Sequence, residues 1–193
     1  MNCLICDLGD SLDLIKEILK RMTHLTEKAD DKGYVPLHHA VELEHTDNLA
    51  VAKLLLQFNR SAAYRKDNEG RTPLHIAASL GRRKIMMEII QVCPDCCELV
   101  DNRGWNVLHF VAKSPSGVEE IIKAILQDSS FSNLINRKDK EGNAPLHLLA
   151  ASNDIPRLFL SHLRLDKMAF NNQNHNALDT ATNREDKSRG WVN

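Results

Sequence analysis

Read along its length, the chain alternates short polar turns with groups of apolar residues set at helix spacing. Four such groups, Val51–Leu55, Met86–Ile90, Ile122–Leu126 and Leu158–Leu163, place their apolar side chains on one face of a helix. Each follows a shorter helical segment, and each short segment is opened by a turn rich in Asp, Asn and Gly. A further amphipathic stretch, Asp13–Met22 with Leu14, Ile15, Ile18 and Leu19, stands ahead of the first turn. The pattern predicts pairs of helices joined by tight turns.

The turns repeat. The run Asp67-Asn68-Glu69-Gly70-Arg71-Thr72-Pro73-Leu74-His75-Ile76-Ala77-Ala78 returns as Asp30 to Ala40, as Asp101 to His109 and as Asp139 to His147, with a degenerate copy over Asn171 to Asp179. Glycine slots at 33, 70, 104 and 142, with Asn174 in the fifth, are separated by 37, 34, 38 and 32 residues. A period near 33 is the mark of stacked supersecondary units, each unable to bury its apolar face alone. The expected organisation is one array over 1–193: a partial unit at 1–29, full units at about 30–66, 67–100, 101–138 and 139–170, and a partial unit at 171–193. The array is expected to begin in mid-unit and to end on an incomplete one, with the middle firmer than the ends.

Each residue type suits its slot. Asp bonds its own backbone in a turn, and Gly accepts a positive φ without steric cost. Thr-Pro supplies a hydroxyl N-cap and a first-turn proline whose missing N–H is not needed there. Alanines at 40, 77, 78, 112, 150 and 151 let helices approach closely. Only the second full copy keeps Thr72-Pro73-Leu74-His75 intact; Val35, Asn106, Ala144 and Asp179 mark departures, and each lost cap is expected to cost about 1 kcal/mol.

The tetrapeptide and the period together resemble the ankyrin-repeat family over Gly33 to Ala181. The resemblance implies an all-α solenoid of stacked helix pairs with β-hairpin tips, and a protein-binding role. It also implies that His38, His75, His109 and His147 hydrogen-bond within and between repeats. The wording Cys93 to His109, with Asn136-Arg137-Lys138-Asp139, further resembles plant ankyrin-repeat membrane proteins of the accelerated-cell-death type. There the repeats form a cytoplasmic domain ahead of a segment with a Pro-Gly-Gly motif and membrane helices, and members act in defence and salt responses. None of that membrane segment occurs in the 193 residues. The resemblance places the repeats in the cytoplasm, at the inner face of the plasma membrane.

Composition narrows the alternatives. With 25 basic and 26 acidic residues interspersed and a net charge of -1, no broad basic face exists for nucleic acid. No stretch reaches the roughly 18 apolar residues of a membrane helix, and Met1 to Leu8 is too short and acidic for a secretion signal. Five cysteines, at 3, 6, 93, 96 and 97, suggest packing in a reducing compartment; two distant CxxC pairs make a poor shared zinc site. His38-His39-Ala40-Val41-Glu42-Leu43-Glu44-His45 lacks the HExxH pattern of a metal helix. Arg82-Arg83-Lys84 reads as a solvated run, and Ser114-Pro115 as a candidate phosphosite. No phosphate loop, nucleophile elbow or carboxylate pair points to an enzyme, and neither metal nor cofactor is expected.

Binding residues are therefore sought slot by slot. In the resembled family the residue after the glycine faces the concave side; here it reads Tyr34, Arg71, Trp105, Asn143 and His175. Tyr, Arg and Trp dominate interface hot spots. Tip positions Asn68, Glu69, Asn102, Arg103, Lys140 and Glu141, and inner-helix positions Glu42, Ser79 and Lys113, complete the expected groove for a peptide or protein partner. The competing expectation is an architectural spacer that self-associates.

Overall fold

The computed structural model describes residues 12–43, 48–114, 118–126, 129–152 and 155–182. Among them no strand occurs, and the chain divides into two compact units, Met1–Asn102 and Arg103–Asn193.

The first unit contains α1 (Leu12–Arg21), α2 (Pro36–Glu42), α3 (Asn48–Phe58), α4 (Pro73–Ser79) and α5 (Arg83–Val92). A 3₁₀ turn follows each outer helix, at Thr23–Glu27, Arg60–Tyr64 and Pro94–Glu98. The inner helices α2 and α4 are two turns long, too short to persist alone in water, so their stability must come from burial against neighbours. They pack on each other and on α3 and α5, while α3 also contacts α1. Ile15, Leu19, Leu37, Leu55, Leu56, Leu74, Met86 and Ile89 fill the core, and Ala40, Ala52, Ala77 and Ala78 keep it thin.

The second unit holds α6 (Val107–Val111), α7 (Val118–Leu126), a 3₁₀ stretch at Ser129–Asn136, α8 (Pro145–Ser152) and α9 (Arg157–Leu160); residues 177–182 are also helical. Its core is Leu108, Val111, Ile121, Ile122, Ile125, Leu134, Leu149 and Phe159. Ala112 and Ala150 are buried; Ala151, expected among the close-packed alanines, is only half-covered. The helix expected through Leu163 stops at Leu160. Of its apolar residues Phe159 is buried, but Leu160 is 36% and Leu163 101% exposed, so a longer helix would have little to bury.

The tips are turns closed by their own first side chain, not β-hairpins. Asp67 Oδ1 accepts the N–H of Glu69 (2.9 Å) and Arg71 (2.7 Å), and Asp67 N–H donates to Arg71 C=O (2.9 Å). Asp30, Asp139 and Asn171 repeat the arrangement. Each tip is tied to the next by one backbone bond: Asn68 to Lys32 and Asn102 to Glu69 in the first unit, Lys140 to Arg103 and Asn172 to Glu141 in the second. Gly142 shows why its slot excludes a side chain: φ is +79°, and a Cβ would lie 2.7 Å from Asn172 N. Asn174 fills the fifth slot at φ +61°, an angle that Asn tolerates better than most residues.

Caps differ from expectation in one copy. Thr72 caps α4. Asn106, expected to be a lost cap, accepts the N–H of both Leu108 (3.0 Å) and His109 (3.2 Å), so α6 is capped as well. Asn is as good an N-cap as Ser or Thr, because its short side-chain carbonyl reaches the same orphan donors. Val35 offers no side-chain cap to α2.

Candidate partner-binding site

The four tetrapeptide histidines act as internal struts. In each, Nδ1 accepts the N–H of the helix's first-slot residue (Val35, Thr72, Asn106, Ala144) at 3.1–3.2 Å. That fixes the proton on Nε2, which donates onward: His38 to Arg71 C=O, His75 to Leu99 C=O, His109 to Asn143 C=O and His147 to His175 C=O, at 3.0–3.2 Å. Burial disfavours the imidazolium and pushes His38 and His75 down to about 4.

In the first unit the tip residues Tyr34 and Arg71 do meet, but not as expected. Tyr34, expected to face a partner, is only 7% exposed. Its ring stacks on His38 at 5.1 Å and meets His39 edge-on at 5.3 Å, leaving its hydroxyl to accept Arg71 Nη2 at 3.1 Å. Arg71 is further held by Asp67 Oδ2 (2.8 Å) and Glu69 Oε1 (3.3 Å). Burial works against the guanidinium charge, yet the bond to Asp67 overcomes it and holds the pKa above its ordinary value. With its side chain 25% exposed, Arg71 is the part of this pair that a partner can reach.

Asn68 and Asn102, also expected in the groove, spend their amides between tips, on Asp31 C=O (2.8 Å) and Asn68 C=O (3.1 Å). Ser79 turns its hydroxyl back onto Ile76 C=O, and Glu42 is exposed at the end of α2. His39, part of the histidine cluster, reaches Asp30 Oδ2 at 3.0 Å; Glu44 and His45 lie outside the described residues. Burial works against the Asp30 charge, but the N–H donors of Tyr34 and Lys32 outweigh it and keep the carboxyl below its ordinary range.

In the second unit Arg103 lies over Trp105, its guanidinium carbon 3.9 Å from the ring centre. The half-buried indole stacks on His109, meets Phe110 edge-on, and donates Nε1–H to Asp139 Oδ2 at 2.9 Å. A weakly hydrated cation fixed on an aromatic face is a ready anchor for a partner. Asn143 accepts from Asn171 Nδ2 (2.9 Å) and donates to Glu141 (3.3 Å); Lys113 is exposed just past α6. Leu148, Gln173 and Thr180 line the concave pocket with Lys140, Asn143 and His175, a role that slot-by-slot reading misses because helix 177–182 and the fifth tip depart most from the repeat.

The remaining candidates do not form a site. Cys93, Cys96 and Cys97 are free and fully buried; the thiols of Cys93 and Cys96 point at Arg60 C=O (3.6 Å) and Ala63 C=O (3.4 Å). Cys3, Cys6 and Pro115 lie outside the described residues. Arg83 and Lys84 are exposed at the start of α5. Among the described residues no three His, Cys, Asp or Glu side chains are grouped to hold a metal, and no helix is long and apolar enough to cross a membrane.

Comparison with known proteins agrees with the geometry. The family model described as "Ankyrin repeats (3 copies)" matches residues 3–97 and 37–136. Nuclear factor NF-kappa-B p105 subunit of Gallus gallus is 26% identical over 149 residues, 76% of this chain and 15% of the relative. SMC5-SMC6 complex localization factor protein 1 of Bos taurus is 33% identical over 132 residues, covering 68% and 12%. A putative ankyrin repeat protein of Rickettsia bellii is 28% identical over 144 residues, covering 66% and 56%. The chain thus spans only a small part of the first two relatives. By repeat geometry and matched residues alike, the chain belongs to the ankyrin-repeat family, a non-enzymatic fold that generally serves protein–protein interaction.

Proposed function

We propose that this chain binds a protein or peptide partner on the tip and inner-helix face of each unit, through Arg71 in the first and the Arg103–Trp105 pair in the second. The observation that carries this reading is that both arginines are held in place before any partner arrives, one by three hydrogen-bond acceptors and the other on an indole face. Pre-ordered side chains lose less entropy on binding, which is how a modest surface gains affinity. Glu42, Ser79, Lys113 and Asn143 form the surrounding contacts in this reading. Trp105→Ala and Arg71→Ala, each shown to be folded by circular dichroism, are expected to weaken binding of a partner verified by direct titration at least tenfold. Parent-like affinity in both variants removes this placement.

The wording of Cys93 to His109 supports a setting in plant defence or stress signalling, at the cytoplasmic face of the plasma membrane. Fractionation of plant cells expressing the tagged full-length protein tests that setting, and recovery away from the plasma membrane counts against it. Self-association is the second reading, favoured by exposed Leu163, Met168, Phe170 and Leu178 in the second unit. Sedimentation that shows a monomer at every concentration eliminates it.

A further inference from the structure

Within the second unit, the tips at 139–143 and 171–175 and helix α8 enclose a concave pocket of about 860 Å³. Half-buried Leu148 and Ala151 line it alongside polar side chains. These polar groups fall into two classes. Asn143 and Asn171 are spent on each other, and Asn172 Nδ2 on Lys140 C=O. The Lys140 ammonium, the Gln173 amide and the His175 imidazole have no hydrogen-bond or ionic partner among the described residues.

The carboxylates nearby are, by contrast, already engaged. Glu141 accepts from Asn143; Asp139 accepts from Trp105 Nε1 and two backbone N–H groups; Asp179 Oδ2 accepts the N–H of Asn176 at 2.9 Å. Exposed Arg103 and Lys113 add positive charge to the same unit. Lys140, Gln173 and His175, donors without acceptors beside a partly apolar surface, define the complement they lack.

We infer that this pocket receives an extended acidic peptide segment, with a carboxylate at Lys140, Gln173 and His175 and an apolar side chain on Leu148 and Ala151. The inference rests on the protein-binding reading and names the chemistry of the partner at one of its faces. The aliphatic stem of Lys140 covers the apolar side chain, and Glu141, a carboxylate at the rim, opposes an acidic segment.

The test uses the 193-residue chain, labelled with ¹⁵N, and two probes: acetyl-Glu-Leu-Glu-Leu-Glu-amide and acetyl-Lys-Leu-Lys-Leu-Lys-amide. The acidic peptide is expected to shift the amide signals of Leu148, Gln173 and His175, and to bind about tenfold more tightly than the basic one. Lys140→Met should weaken it about fivefold, the scale of one exposed ion pair, and Glu141→Gln should tighten it. Equal or tighter binding of the basic peptide, shifts confined to other residues, or indifference to both substitutions overturns the inference. If the acidic peptide leaves 171–175 undisturbed while Trp105→Ala still abolishes capture of the verified partner, the pocket inference fails alone and the wider reading stands.

Discussion

Trp105 donates its indole N–H to Asp139 Oδ2 at 2.9 Å, so the side chain proposed as a partner anchor also fastens one tip to the next, 34 residues on. Asp139 closes its own turn with its other oxygen, through the N–H groups of Glu141 and Asn143. Trp105→Phe keeps an aromatic side chain in the slot but deletes the donor and narrows the indole to a single ring. Loss of a hydrogen bond to a charged group should lower stability by about 1.5–3 kcal/mol, read as a reduced urea midpoint at unchanged slope. An unchanged midpoint would mean that neither the bond nor the wider ring contributes to the stability of the tip.

Asn106 caps α6 with two accepted N–H bonds and adds a third bond, Nδ2 to Leu134 C=O at 3.0 Å. Thr72 occupies the same slot before α4 with a single, longer backbone contact, 3.4 Å from His75 N–H. Asn106→Ala is therefore expected to cost about 2 kcal/mol and Thr72→Ala about 1 kcal/mol. Thermal unfolding of the two variants side by side reads the order; a larger loss for Thr72→Ala contradicts the account of the caps.

What is legible in the sequence, and what is not, divides along the range of the forces involved. The Asp-x-x-Gly turns, the proline-opened helices and the Nδ1 bonds of the histidines rest on residues four or fewer apart, so each can be read where it stands. The onward Nε2 bonds, to carbonyls 24 to 34 residues away, follow only from the repeat. The burial of Tyr34 cannot: it depends on stacking against His38 and on the guanidinium that Arg71 brings from the next repeat. The slots of Asn68 and Asn102 face outward and so point to a groove, yet carbonyls of the preceding tip claim both amides. The cap at Asn106 is hidden for a different reason, because a Thr-Pro template is too narrow where any short acceptor suffices. The pocket of the second unit is hidden because Gln173 and Thr180 belong to the copy least like the others.

Acid should loosen the first unit through its two buried imidazoles. His38 and His75 are pushed down to about 4 by burial, whereas the unfolded chain binds the same protons near 6.5. Between those values the unfolded state holds more protons, so the stability present above pH 6.5 is lost as pH falls toward 4. Each ring contributes on the order of 1 to 3 kcal/mol across that window. Asp30, its carboxyl held below the ordinary 3.8, adds a further loss only as pH falls past that value, which separates the two effects. Urea midpoints measured from about pH 7.5 to about pH 4.5 should decline, and His75→Gln should flatten the slope. A midpoint constant across that range would mean the rings do not stay neutral in the fold.

The three cysteines in 93–97 should be chemically silent while the fold is intact. All are fully buried, and the thiols of Cys93 and Cys96 are directed at carbonyls of the preceding 3₁₀ turn. Burial pushes the Cys96 thiol well up, with the neighbouring Cys93 and Cys97 adding to the effect, so the nucleophilic thiolate is scarce as well as inaccessible. Iodoacetamide applied at about pH 8, followed by mass spectrometry of the peptide containing 93–97, should find it unmodified in buffer and fully alkylated in urea. Because the reagent can reach these sulfurs only after α5 and its 3₁₀ turn separate from α3, the labelling rate at intermediate urea should track the opening of that boundary. Rapid labelling in buffer would show that the boundary is open in the native state, and with it that the buried packing described for α3 and α5 does not hold in solution.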